Sequence, residues 1–218
     1  MQKIKFIFLI LITISANVFS QQLTFQEKLV FDDVVYITPK GSSKKIISKW
    51  TSPIIYQIKG DAPEAFVKEV DTTFSEFRKL TGLNIKKTTT DDEANFIIQV
   101  EMELHSKNIK TPGGGYMNYM GNFKHEANGK QEITRVENTI VILKRYSKSD
   151  VKYALKRMVL KSLGFFKKSE EREVSLFFSR TNSAIKIDKF DQNIIKFLYG
   201  NFVKPGMTKE EIDWHLNY

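Results

Sequence analysis

The sequence contains no cysteine. Disulfides therefore cannot hold the fold together, and no lipid-modified cysteine can anchor the chain behind a leader. Histidine is nearly as scarce, and His105, His125 and His215 show no paired spacing. Solvent-exposed or capping histidines are expected rather than a metal site. No Gly-x-Ser-x-Gly elbow is present, which removes the usual signature of a serine hydrolase. Gly113, Gly114 and Gly115 are followed by tyrosines and methionines, not by the lysine and hydroxyl that open a helix in a phosphate loop. Beyond residue 20 no apolar run approaches the roughly 20 residues needed to span a bilayer. Internal repeats and low-complexity segments are also absent.

The chain does carry a charge surplus, with 34 basic against 25 acidic residues for a net +9. The basic residues are spread rather than massed in one block, so nucleic-acid binding is not expected. Such a surface mostly solubilises, or draws the protein to anionic lipid or glycan. Met1 to Ser20 has Lys3 and Lys5, an apolar run from Ile4 to Ile14, and a small residue at Ser20, the layout of a signal peptide cut near Ser20-Gln21. The destination would be the periplasm or the extracellular space. The remaining ~198 residues are enough for one core. Gln21 to Lys45 reads as a lead-in segment without a clear hydrophobic period, and residues 46–218 read as one α+β domain, expected to be monomeric.

Within that domain, Ile46 to Trp50 and Ile54 to Ile58 are strand-like, with Pro53 at a strand start. Asp61 and Glu64 suggest a reciprocal cap for a helix whose Phe66, Val70, Phe74 and Phe77 form one stripe, stopped by Gly82. Leu83 to Lys87 and Asn95 to Val100 read as strands. Tyr116 to Phe123 and Gln131 to Leu143 should form a hairpin through a tight Asn128-Gly129 turn. Either the glycines simply make a hairpin base, or Tyr116, Tyr119 and Met120 rim a cleft. Asp188 to Tyr199 is a helix by its stripe, and Thr208 with Glu211 caps a last helix ending near Leu216.

The most informative stretch is Ser149 to Lys167, a helix stopped by Gly164. Val151, Ala154, Leu155, Met158, Val159 and Leu163 form a buried face, flanked by Lys152, Lys156, Arg157 and Lys161. A zinc-peptidase helix places two histidines four apart with a glutamate beside the first, then a glycine and a third ligand three and six residues on. At that spacing this chain has Arg157 and Lys161 for the histidines, Met158 for the glutamate, Gly164 for the glycine and Lys167 for the third ligand. Protonated lysine and arginine offer no lone pair to zinc, and methionine is no general base. The plain alternative is an ordinary amphipathic helix with a basic flank. Asp91, Asp92, Glu101 and Glu103 sit near strand ends, where acids are ordinarily solvated, though glycosidase carboxylates can meet from distant positions.

Three passages resemble the secreted bacterial proteins grouped as domain of unknown function 2927, which look related to zincin metallopeptidases. They are Lys49-Trp50-Thr51-Ser52-Pro53 before a strand, Val159 to Phe165 with its Leu-Gly helix end, and Asp191 through Leu198-Tyr199 to Pro205-Gly206-Met207-Thr208. The resemblance spans about Lys49 to Ile212. It implies a zincin-like α+β fold, with a mixed sheet against a first helix and a central helix, a cleft beside an edge strand, and C-terminal helices. It transfers no catalytic residue and no metal ligand. The expectation is a secreted, catalytically inactive zincin-like domain without cofactor, binding a peptide, protein or glycan in the remnant cleft. Arg157, Lys161, Lys167, Tyr116 and Tyr119 would contact that ligand, the cations favouring an acidic group. The alternatives are a metal-dependent or carboxylate-based hydrolase, peptidase or glycosidase, and a basic envelope-surface binding protein.

Overall fold

The computed structural model describes residues 22–102, 120–142, 147–180 and 185–216, and Tyr116, Tyr119, Glu103 and His105 lie outside them. The elements are α1 (Phe25–Val35), β1 (Tyr36–Ile37), β2 (Ile46–Ile47), β3 (Ile54–Gly60), α2 (Glu64–Thr81), β4 (Ile85–Lys87), a 3-10 turn at Asp91–Glu93, β5 (Phe96–Met102), β6 (Met120–Ala127), β7 (Ile133–Ile142), α3 (Lys148–Ser162), α4 (Lys189–Leu198) and α5 (Lys209–Leu216). The expected α+β class and mixed sheet are present. One five-stranded sheet runs β4-β3-β5-β7-β6, and β1 pairs with β2 apart from it. The first four strands are mutually parallel and β6 returns antiparallel to β7.

Register places Tyr56, Phe96, Val136 and His125 in one row across the sheet, and Ile58, Ile98, Asn138 and Phe123 in the next row on the same face. The Phe74 ring of α2 stacks on Tyr56 at 4.2 Å and meets Phe96 edge-on at 5.1 Å, which seats α2 on that face. Asn138 Nδ2 donates to Ser162 Oγ at 3.0 Å, which seats the end of α3 on the same face. The sheet thus carries both helices on one side, and among the described residues β6 ends both rows beside α3.

Three local expectations change. Residues 23–37 do not form an aperiodic lead-in: α1 starts with a Thr24–Glu27 capping box and buries Val30, Phe31, Val34 and Val35. α2 begins instead after Pro63, with no side-chain cap, so Asp61 and Glu64 do not form the reciprocal pair. The β6–β7 connection is a five-residue loop, 128–132, rather than a tight Asn-Gly turn. Asn128 Oδ1 accepts from the Lys130 and Glu132 amides, and Gln131 takes the positive φ of 64°. That conformation presents the Gln131 carbonyl to the Ser48 hydroxyl and the Lys49 amide.

Candidate functional site

The helix α3 ends where Gly164 adopts φ 104° and the Phe165 amide reaches back to the Leu160 carbonyl. A Cβ at Gly164 would lie 2.4 Å from the Ser48 carbonyl oxygen, so the position requires glycine for contact as well as for conformation. Leu155, Met158, Val159 and Leu163 are fully buried. Met158, which holds the general-base position in the zinc-peptidase spacing, is therefore part of the core.

The carbonyls at the end of α3 are answered from afar. Trp50 Nε1 donates to the Ser162 carbonyl at 2.9 Å and Tyr199 Oη to the Leu163 carbonyl at 2.7 Å. Buried Lys49 donates to the Leu198 carbonyl at 2.7 Å and the Val203 carbonyl at 2.8 Å, closing the end of α4. Burial pulls its ammonium down to about 8. The Gly206 amide donates to Ile47 and the Ile47 amide to Met207. All three passages that carry the sequence resemblance meet at this junction. Their polar groups bond to one another, so the junction is a structural clasp.

The chemically unusual surface lies one face away. Lys161 Nζ stands 4.3 Å over the Phe123 ring of β6. His125 stacks on Phe123 with centroids 5.5 Å apart and meets Phe166 at 4.8 Å. Burial, reinforced by Lys161, holds the His125 imidazole below its ordinary value. The earlier expectation of an exposed or capping role does not describe this half-buried, stacked ring. Arg157, one turn before Lys161, donates from Nη1 to the Tyr153 hydroxyl and to the Phe178 carbonyl. Lys168 donates to the Ser179 carbonyl at 3.3 Å, and burial and the charges of Arg157 and Lys161 lower its ammonium. Burial likewise lowers Lys161.

The structure thus brings Arg157 and Lys161 together and separates Lys167 from them. Lys167 is exposed and lines a recess of about 880 Å³ together with Asp32, Asp33, Tyr36, Lys44 and Lys209. Its backbone amide donates to the Val34 carbonyl, which points that segment at α1. Sequence reasoning missed Phe123, Phe166 and Lys168. The only available signal was the alternation on β6 that puts Phe123 and His125 on one face. Among the described residues, no group of three or more His, Asp or Glu side chains could hold a metal ion. Asp91, one of the candidate strand-end acids, is tied to Gln57 and Lys59. No helix among the described residues is long and apolar enough to cross a membrane.

The model of one protein family, described as protein of unknown function (DUF2927), matches residues 30–217, from within α1 to beyond the end of α5. No curated protein matches the chain.

Proposed function

The chain belongs to the DUF2927 family, and from that premise we propose that it is an exported, zincin-like domain that performs no hydrolysis and binds a peptide, protein or glycan chain along α3 and β6. The observation that carries this reading is the pair Arg157 and Lys161. They occupy the two histidine positions of a zinc-peptidase helix, and both are cationic side chains with no lone pair for a metal. The antiparallel strand β6, which ends the sheet among the described residues and borders α3 through Phe123 and Lys161, supports the zincin-like reading. The leader of residues 1–20 supports export, and the absence of cysteine suits a domain that folds outside the cytosol without disulfides.

Metal content tests the silent part of the proposal. The chain from Gln21 to Tyr218, exposed to zinc and dialysed exhaustively, is expected to retain no stoichiometric metal and to cleave neither casein nor a mixed glycan panel. Retention of about one zinc per chain, with chelator-sensitive cleavage, would sink the proposal and bring the hydrolase reading forward.

A further inference from the structure

We propose that the Asn128-Gly129 bond is a modification site, at which the asparagine deamidates once its loop opens and the product irreversibly weakens the grip of that loop on the clasp at Lys49. The site lies on the β6–β7 connection and is independent of the ligand-binding reading above.

Asn128-Gly129 is the sole Asn-Gly pair in the sequence, and both residues are exposed. A hairpin ordinarily uses such a pair for its positive φ. Here Gln131 takes that conformation instead, and a Cβ added at Gly129 would meet nothing within 4 Å. The fold therefore does not require glycine at 129. What the glycine leaves is a backbone nitrogen unshielded by a side chain, whose N–H makes no hydrogen bond among the described residues. That nitrogen can bond to Cγ of Asn128 and close a succinimide ring, while Nδ2 leaves as ammonia with the proton of the Gly129 amide. Water then opens the ring at either carbonyl, giving aspartate or isoaspartate.

In the folded loop both ends of the Asn128 amide are held. Oδ1 accepts from the Lys130 and Glu132 amides at 2.9 and 3.1 Å, and Nδ2 donates to Glu132 Oε2 at 2.7 Å. Glu132 is itself fixed, its Oε1 accepting from the Thr51 hydroxyl at 3.0 Å. Turning Cγ onto the Gly129 nitrogen and releasing Nδ2 breaks these bonds, so the latched amide reacts slowly. The product matters because the same loop presents the Gln131 carbonyl to Ser48 and Lys49, and the next residue, Ile133, donates to the Lys49 carbonyl. Aspartate puts a carboxylate oxygen where Nδ2 met Glu132, replacing a charge-assisted bond with like-charge repulsion. Isoaspartate adds a methylene to the main chain and shortens the side chain, so one oxygen no longer caps both amides. Either product loosens the loop where it grips Lys49.

The test follows the chain from Gln21 to Tyr218 at neutral pH and physiological temperature, folded and in guanidinium chloride, with deamidation at Asn128 read by peptide mass spectrometry. The folded chain is expected to react about tenfold more slowly than the unfolded one, or slower still. Glu132→Ala removes the Nδ2 acceptor and keeps the asparagine and glycine. It should raise the folded rate about fivefold to tenfold and leave the unfolded rate unchanged. Thr51→Val keeps Glu132 but frees it, and should raise the folded rate about twofold. Melting temperatures well above that of the incubation separate a lost latch from a lost fold. Equal rates in the two states, or no acceleration in either variant, would overturn the latch, and an unfolded chain that does not deamidate at Asn128 would overturn the site. Deamidated protein, separated by its added negative charge, should melt at a lower temperature than the intact chain. Equal melting temperatures would overturn the link to the clasp.

Discussion

Lys49 and Asp191 show how single charges are held inside this protein. Lys49 closes the negative end of α4, donating to the Leu198 carbonyl there and to the Val203 carbonyl in the segment that follows. Lys49→Met keeps the aliphatic stem but strands both acceptors, and is expected to cost about 2–4 kcal/mol in urea unfolding. Asp191, near the other end of the same helix, is fully buried and accepts from the Ser175 hydroxyl and the Leu176 amide. Burial raises its carboxyl to about 6. The folded chain therefore keeps this proton up to about pH 6, whereas the unfolded chain releases it near the usual carboxylate value. The associated stability is present in acid and lost as pH rises between about 4 and 6. Asp191→Asn should flatten that slope, by at most about 3 kcal/mol across the window, measured as urea unfolding at each pH. Neither role was legible in the sequence. Both residues read as ordinary charges, and Lys49 finds its carbonyl partner 149 positions away.

Helix ends separate what local pattern can reveal from what it cannot. Gly164 and Gly82 both stop helices with positive φ, and both stops were legible. Only Gly164 is also pressed against another segment, at the Ser48 carbonyl, while a Cβ at Gly82 would meet nothing within 4 Å. Gly82→Ala should therefore cost about 1 kcal/mol, from backbone conformation alone. Gly164→Ala should cost about 3 kcal/mol or more, because the overlap with backbone adds to it. Paired thermal melts would show this difference, and equal losses would mean that the α3 clasp yields readily. At helix starts the same cap-and-acid pattern succeeded at Thr208 and Glu211 and failed at Asp61 and Glu64, where Pro63 begins the helix. It was present and overlooked at Thr24 and Glu27. The stripes of α2 and α4 were plain because each has one buried face. That of α1 was not, because buried Glu27 and Lys28 interrupt it, each held by a distant partner: Asn193 for Glu27 and Asp213 for Lys28.

Those two partners make α1 part of the whole molecule's core. Phe31 meets Phe197 of α4 edge-on at 4.9 Å, and Glu27 accepts from Asn193 at 2.7 Å. Lys28 bridges Asp32 and Asp213 at 2.6 Å, and Lys209 joins both acids, linking α1 to α5. The ion network is partly exposed and adds little by itself. The apolar burial is larger. Val30, Phe31, Val34 and Val35 are all essentially inaccessible, and each contributes about 1.5–3 kcal/mol when withdrawn from water. Their combined contribution is comparable with the 5–15 kcal/mol that a typical domain has in total. A chain starting at Ile46, where the sequence pattern alone would place the domain's first strand, is therefore expected to lose cooperative folding. A chain starting at Gln22 should keep it. Near-ultraviolet circular dichroism through a thermal ramp distinguishes them. A sharp melt for residues 46–218, close to that of the longer chain, would show that α1 is an appendage. A broad or absent transition would place the first helix inside the folding unit.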